Sequence, residues 1–248
     1  MENGYEVRPL IDEPDDGKKV LYLRHDIDYT TGEAVNLACV NAELGISGCF
    51  FLPVSSPIIN LREEENRKNI QKIMGLGQKI GLHFYLPDSL ADRSVVEYQA
   101  ISDLITEEFN ILEALVDGDI HPAMSWHNPG LLGESYSDWI QGEVPGLTNA
   151  YALSRKGVGY RADSNLRYSV DEWIAFAATE ARRLQALFHP FQWSLGASRM
   201  QEILAEMFRR HIRQYDHMLG DNDVYSVVMP EGLTDETVDK LLAPLMAS

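Results

Sequence analysis

The chain has 248 residues, of which 45% are hydrophobic and 24% charged, which is enough to bury a full core as a soluble α/β protein. Its 21 Lys and Arg against 38 Asp and Glu give a formal net charge of −17 at pH 7, which argues against nucleic acid and anionic membrane surfaces as partners. Two cysteines are too few for a disulfide framework, and no apolar run approaches the roughly 18 residues of a membrane span.

The N-terminal segment, residues 1–17, is acidic and has no apolar stretch of the kind that a signal peptide carries. We therefore expect this segment to be peripheral to the fold and the protein to be cytoplasmic. No repeat and no Gly/Ser/Pro-rich linker divides the remaining sequence, so we expect residues 1–248 to form a single domain.

Short apolar strands alternate with amphipathic helices in the first half of the chain. The pattern predicts strands over about residues 20–28, 48–53, 78–85 and 123–127, and helices over about residues 30–45, 62–76 and 94–116. The first helix opens at a Thr-x-x-Glu capping box, Thr30 to Glu33, and ends at Gly45.

The second half of the chain is less regular. Residues 130–159 contain six glycines, and we predict loops there. We predict weaker strands over about residues 159–163 and 184–189, a helix over about residues 198–218, a last strand over about residues 224–229 and a short helix from near Thr234. Strands that alternate with helices favour parallel pairing with right-handed crossovers. The seven strand candidates suit a (β/α)7 barrel like a TIM barrel with one strand fewer, and a doubly wound open sheet is the alternative.

Polar side chains gather where five of these strands end. The residues are Arg24, Asp26, Asp28, His83, His127, Asp163 and His189. The C-terminal strand ends of a β/α barrel meet on one face, where catalytic groups lie, so we expect these side chains to converge. Alternation along the first strand places Arg24, Asp26 and Asp28 on one face, opposite the apolar face.

Aspartates and histidines that converge on one point are typical ligands of a divalent metal, and zinc is the default ion for such a set. A catalytic zinc site needs three protein ligands and one position open to water. A carboxylate outside the ligand set can then accept a proton from that water. The pattern therefore predicts a metal-dependent hydrolytic site.

Structural roles are the alternative for each of these side chains. Asp28 could cap the following helix, and His83 could be a hydrogen-bonded core histidine. His127 could shape a loop, and His189 could end its strand before Pro190. His25 falls on the apolar side of its strand, and we expect it to be structural.

Five segments, taken in order, resemble the motifs of the polysaccharide deacetylases, the carbohydrate esterase family four, and in particular a bacterial branch with a His-Asp-x-Asp first motif. The segments are R-H-D-I-D (24–28), K-I-G-L-H (79–83), S-W-H-N-P-G (125–130), Y-R-A-D-S (160–164) and F-H-P (188–190). The resemblance covers about residues 20–193. It implies a distorted (β/α)7 barrel and the metal-dependent removal of an N- or O-acetyl group from a sugar.

The resemblance also implies roles for individual residues. Asp26 matches the catalytic base of the family, and Asp28 matches its metal-binding aspartate. His83 matches the first metal-binding histidine. His189 matches the histidine that protonates the leaving group, and Asp163 matches the carboxylate that orients this histidine.

Two positions depart from the family pattern. The second metal-binding histidine of the family lies four residues after the first, where this chain has Pro87, and His127 stands where the family has an arginine. We predict that His127 completes the metal site with Asp28 and His83.

The remaining site candidates surround the base and the substrate. Arg24 is predicted to supply the positive charge that the missing arginine would place near Asp26. The backbone N–H of Gly130 could hold an oxyanion. Trp126 and Trp193 could stack on a sugar ring, although core packing is as common for tryptophan.

The sequence therefore predicts a zinc-dependent deacetylase that acts on an acetylated sugar or sugar conjugate. Because we expect a cytoplasmic protein, we expect the substrate to be a precursor in surface-polysaccharide assembly. Two alternatives stay open. One is a barrel that binds sugar without turnover, which Pro87 suggests, and the other is a hydrolase of a small non-sugar amide.

Overall fold

The computed structural model describes residues 4–11, 13, 16–90, 92, 96–194, 196 and 199–246. The chain divides into two compact units, residues 1–194 and 195–248, and each is described by itself. Within the described ranges, no helix combines the length and the hydropathy that crossing a membrane requires.

A parallel sheet forms the centre of the first unit. Its strands are β1 (Glu6–Arg8), β2 (Val20–Asp26), β3 (Cys49–Leu52), β4 (Lys79–Phe84), β5 (Ala123–Trp126), β6 (Thr148–Asn149), β7 (Gly159–Ala162) and β8 (Arg183–Phe188). The strand order is β6-β5-β4-β3-β2-β8-β7, and β1 pairs with the start of β2 beside this path. Because β2 lies between β3 and β8, early and late strands of the unit are neighbours, as a barrel requires. The sheet curls into a half-barrel, which confirms the predicted distorted (β/α)7 class.

Helices connect most of these strands. They are α1 (Thr31–Glu43), α2 (Glu64–Gly75), α3 (Tyr98–Leu115), α4 (Pro129–Leu132), α5 (Ser137–Ile140), α6 (Val170–Ala177) and α7 (Pro190–Ser194). The N-cap of α1 is Thr30, whose side chain accepts a hydrogen bond from the Gly32 N–H. Asp28 is therefore not needed as the cap of this helix.

Side chains alternate along the strands and so fill two cores. Phe50 of β3 and Leu82 of β4 belong to the core between the sheet and the helices. Tyr22 and Phe51 belong to a second core inside the barrel. Gly81 faces the same interior, where an added Cβ would lie 2.8 Å from the Phe51 ring and 2.8 Å from the Ala123 carbonyl oxygen. The interior is thus tightly filled at the start of the strands.

The second unit is helical where it is described. Its helices are α8 (Met200–Leu219), α9 (Asp223–Val228) and α10 (Asp235–Met246). Helices α8 and α10 contact each other, and Arg209 Nη2 lies 2.6 Å from Asp239 Oδ1 between them.

One sequence prediction is wrong in this unit, because residues 224–229 form the helix α9 and its end rather than a strand. The side chain of Asn222 accepts hydrogen bonds from the N–H groups of Val224 and Tyr225, which caps the helix. Val227 is 80% exposed, so its β-branched side chain has no sheet neighbour to pack on. Local capping therefore determines that this segment is helical.

Several short elements were absent from the predictions. Strand β1 and the fully buried Leu10 show that the N-terminal segment, which we expected to be peripheral, contributes to the barrel. Residues 130–159, predicted as loops, include α4, α5 and β6. Helix α6, with Ser169 and Glu172 in a capping box, was not predicted either. The predicted starts of two helices, at 94 and 198, lie outside the described residues.

Candidate metal centre and active site

A small cavity lies at the C-terminal ends of the barrel strands, with a volume of about 60 Å³. The barrel interior, apolar at the start of β2, becomes polar at its end, where Arg24 and Asp26 follow Tyr22 on the same strand face. The residues that line the cavity are Asp26, Asp28, His83, Trp126, His127, Asn128, Pro129, Tyr151, Tyr160, Ser164, Leu187 and His189.

Three side chains bring one ligand atom each to a common point in this cavity. Asp28 Oδ1 lies 3.1 Å from His83 Nε2 and 3.1 Å from His127 Nδ1, and the two nitrogens are 3.2 Å apart. Zinc bonds of about 2.05 Å in a tetrahedral arrangement set the ligand atoms about 3.3 Å apart. The donor types and their spacing therefore fit a divalent metal ion, which these residues could hold.

The ends of β4 and β5 position the two histidines. His83 is the fifth of the six residues of β4, and its neighbour across the β4–β5 pair is Ser125. His127 follows β5 directly, and its ring stacks on Tyr85 with centroids 3.8 Å apart and planes within 6°. Asn128 has a φ of 43°, in the left-handed region that asparagine tolerates, and this turn leads from β5 into α4.

Arg24 and Asp26 form a buried ion pair beside the three candidate ligands. Arg24 Nε donates to Asp26 Oδ1 at 2.8 Å, and Arg24 Nη2 donates to Oδ2 at 2.6 Å. The guanidinium lies 4.8 Å from the Tyr151 ring centroid and 5.7 Å from that of Phe51. Burial alone would raise the pKa of Asp26, but the charge and hydrogen bonds of Arg24, together with His83 and His189, outweigh burial and hold that pKa below its usual value. Asp26 is therefore a carboxylate at neutral pH.

His189 is bound through one ring nitrogen to a buried carboxylate. Asp163 Oδ1 lies 2.5 Å from His189 Nδ1, and Oδ2 accepts hydrogen bonds from the His189 backbone N–H at 2.8 Å and from Trp193 Nε1 at 2.7 Å. The other ring nitrogen, Nε2, is 3.7 Å from Asp28 Oδ2. Burial opposes a charge on His189, but Asp163 and Asp28 outweigh it and raise its pKa to about 9.

The structure brings together eight of the ten site residues that the sequence singled out, namely Arg24, Asp26, Asp28, His83, His127, Asp163, His189 and Trp193. Trp126 is placed differently, since it is 1% exposed and packs edge-on against Phe84, with ring centroids 5.2 Å apart. That ring is part of the core and is not open to a sugar. Gly130 is the second residue of α4 and lies outside the cavity lining. Trp193 is 45% exposed beside His189.

Sequence reasoning missed two further contributors to the site. Ser125 Oγ lies 2.7 Å from His83 Nδ1, and alternation from His127 would have placed this serine on the inner face. Tyr151 accepts a hydrogen bond from Arg24 Nη2 at 3.3 Å. Tyr151 lies in the irregular segment, and no local pattern could have placed it.

The comparisons with known proteins give matches among solved structures only. No family model matches the chain, and no curated protein matches its sequence. A pseudoenzyme of the CE4 family from Bacillus anthracis is 13% identical with a TM-score of 0.43, over 84% of this chain and 65% of that one. A CE4 esterase of Streptococcus mutans is 17% identical with a TM-score of 0.44, over 70% of this chain and 74% of that one.

A third similar structure is the chitin deacetylase of the fungal pathogen Colletotrichum lindemuthianum, at 16% identity and a TM-score of 0.40, over 82% of this chain and 86% of that one. The first two structures are of the CE4 family, whose motifs the sequence resembles. This chain spans about two thirds of the length of the Bacillus anthracis protein. Likenesses this distant carry no argument about activity, which must come from the site itself.

Proposed function

We propose that this protein is a metal-dependent hydrolase that removes an N- or O-acetyl group from a sugar, with zinc as the metal. The observation that supports this proposal is the grouping of a base and an acid around the three candidate ligands. Asp26 Oδ2 lies 3.7 Å from His83 Nδ1, and His189 Nε2 lies 3.7 Å from Asp28 Oδ2. One cavity thus contains a carboxylate, an imidazole and the three candidate metal ligands, among them His127.

When bound, a divalent ion would polarise the acyl carbonyl and lower the pKa of water in the cavity. Asp26 is ionised and accepts a proton from the attacking water. Its ion pair with Arg24 makes Asp26 a weak base. A weak base is sufficient for water whose pKa a bound ion would already lower. The same ion pair fixes the direction of both Asp26 oxygens.

His189 supplies the acid. Asp163 binds its Nδ1, so the proton to be given away is on Nε2, the nitrogen nearer to Asp28. His189 donates that proton to the leaving nitrogen or oxygen, and an amide needs this step most because an unprotonated amine leaves poorly. Trp193, exposed next to His189, is our candidate for contact with the sugar ring.

The test is acetate release from N-acetyl and O-acetyl sugars by protein loaded with zinc. We expect a chelator to abolish the release and added zinc to restore it. Asp26→Asn and His189→Ala should each lower kcat by about 10²- to 10⁴-fold. His217→Ala, at an exposed histidine of α8, is the control and should change nothing.

Two other outcomes would replace the proposal. A protein that binds zinc and sugar but releases no acetate is a binding barrel, the alternative that Pro87 suggests. Hydrolysis of a small non-sugar amide, without acetate release from sugars, would indicate the second alternative, a hydrolase of such amides. That the sugar is a precursor of a surface polysaccharide, and that the protein is cytoplasmic, stay predictions from the sequence.

A further inference from the structure

One buried hydroxyl connects a candidate metal ligand to the candidate base. Ser125 is fully buried and lies opposite His83 in the pairing of β4 with β5. Its Oγ is 2.7 Å from His83 Nδ1 and 3.3 Å from Asp26 Oδ1. The three side chains therefore form a continuous hydrogen-bonded chain in the barrel interior.

The direction of each hydrogen bond follows from the charge on Asp26. The guanidinium of Arg24 pairs with both oxygens of this carboxylate, which can therefore only accept hydrogen bonds. A serine hydroxyl has one proton, and here Ser125 donates it to Asp26. The hydroxyl oxygen then accepts from His83, so the proton of the neutral imidazole lies on Nδ1 and the lone pair lies on Nε2.

We propose that Ser125 and Asp26 form a relay that fixes His83 in the tautomer that binds metal through Nε2. This inference rests on the proposed metal centre and assigns Ser125 as a positioning residue. It also gives Asp26 a second task beside proton transfer, although Asp26 is not one of the three candidate ligands.

The relay matters because the other tautomer has a competing partner. Asp28 Oδ1 lies 3.1 Å from His83 Nε2. Without an acceptor at Nδ1, the ring can carry its proton on Nε2 and donate it to Asp28. That hydrogen bond would occupy two of the three candidate ligand atoms and oppose metal binding.

The test is the zinc dissociation constant of the full chain, measured by competition with a chromophoric chelator. Ser125→Ala should raise Kd by about 10- to 100-fold. Asp26→Asn should also raise it, because an amide can donate to Ser125 and reverse the relay. The double variant should have a zinc Kd no higher than that of the single variant that binds zinc less tightly, since both changes break the same relay. Ser102→Ala, at a buried serine of α3, is the matched control and should keep the wild-type Kd.

Two results would overturn the relay. One is a Kd for Ser125→Ala within about twofold of wild type. The other is single effects that multiply in the double variant, which would mean that Asp26 acts by charge alone. Circular dichroism checks the fold of each variant, and Asp26→Asn provides the test if Ser125→Ala does not fold.

A spectroscopic measurement on the wild-type chain is independent of any variant. In zinc-loaded, ¹⁵N-labelled protein, we expect a slowly exchanging proton on His83 Nδ1, and a zinc-bound Nδ1 would overturn the relay. A wild-type chain that binds no zinc would overturn the relay and the proposed function together. Zinc effects as expected, without acetate release from any sugar, would overturn the proposed function alone.

Discussion

Trp193 donates its indole N–H to Asp163 Oδ2 across 2.7 Å, while the other oxygen of the same carboxylate lies 2.5 Å from His189 Nδ1. His189 directly precedes α7, and Trp193 lies four residues later within this helix. One helical turn therefore fixes the positions of both donors. Trp193 therefore limits how Asp163 can rotate, and Asp163 in turn orients His189.

Trp193→Phe should impair the acid step selectively, because phenylalanine keeps the ring and loses the N–H. We expect kcat on an N-acetyl sugar to fall roughly tenfold, as for the loss of one hydrogen bond to a charged group. The rate on an activated aryl acetate should hardly change, since its leaving group needs no proton. The control is Trp173→Phe, because Trp173 packs on the same Phe188 ring, with centroids 4.6 Å apart. Equal losses on both substrates would mean that Trp193 has only a structural role.

Each of the three candidate ligands should be required for zinc. Asp28→Asn, His83→Ala and His127→Ala should each lose most of the bound metal, as measured by plasma mass spectrometry. Zinc at about 100 times its Kd should stabilise the wild-type fold by about 2.7 kcal/mol and raise its Tm, but should not raise the Tm of these variants. A His127→Ala protein with a full complement of zinc would show that the third ligand lies elsewhere.

His25 should make the fold less stable in mild acid. Burial lowers the pKa of His25 to about 3, from 6.5, although the Phe188 backbone opposes this shift. Because the unfolded chain binds the proton more readily, stability is complete above pH 6.5 and is lost as the pH falls toward 3. Between pH 6.5 and 4.5 this one group accounts for a loss on the order of 2 kcal/mol.

The substitution His25→Gln isolates this effect. Urea unfolding at several pH values should show a shallower decline for the variant than for the wild type, whatever its absolute stability. His217→Gln, at an exposed histidine, should follow the wild-type curve. If the two variants show the same slope between pH 6.5 and 4.5, His25 does not carry the acid sensitivity.

The Arg24–Asp26 pair should be sensitive to the loss of one partner alone. Arg24→Met leaves a buried carboxylate without its counter-charge and should lower the free energy of unfolding by about 3–5 kcal/mol. Adding Asp26→Asn should recover part of this loss, because the unpaired charge disappears. Lys68→Met breaks an exposed pair with Glu64, 2.6 Å long, and should change nothing measurable. An Arg24→Met protein as stable as wild type would contradict this account.

Much of the site could be predicted from the sequence, because parallel strands carry their last residues to one face. Asp26, His83 and His189 lie at or next to the ends of three strands of the correctly predicted barrel, and their convergence follows from the topology. Tyr151 could not be predicted in the same way. It reaches Arg24 across 127 residues of chain, and only the curvature of the barrel brings the two together.

The errors in the fold come from segments too short for a periodic signal. Strand β6 has two residues, Thr148 and Asn149, and its pairing with β5 depends on the tertiary structure. Residues 224–229 have the β-branched composition of a strand, but a single capping residue, Asn222, and high exposure favour a helix. In both places, contacts or caps outweigh residue composition.

The short separation of Arg24 and Asp26 has a consequence for how the protein folds. Their contact spans two residues of one strand, so it requires no loop closure and little conformational entropy. An arginine on a distant strand would leave the carboxylate uncompensated until both strands had docked. Strand β2 instead carries both charges of the pair. The pair therefore adds no net charge to the barrel interior, whichever strand docks against β2 next.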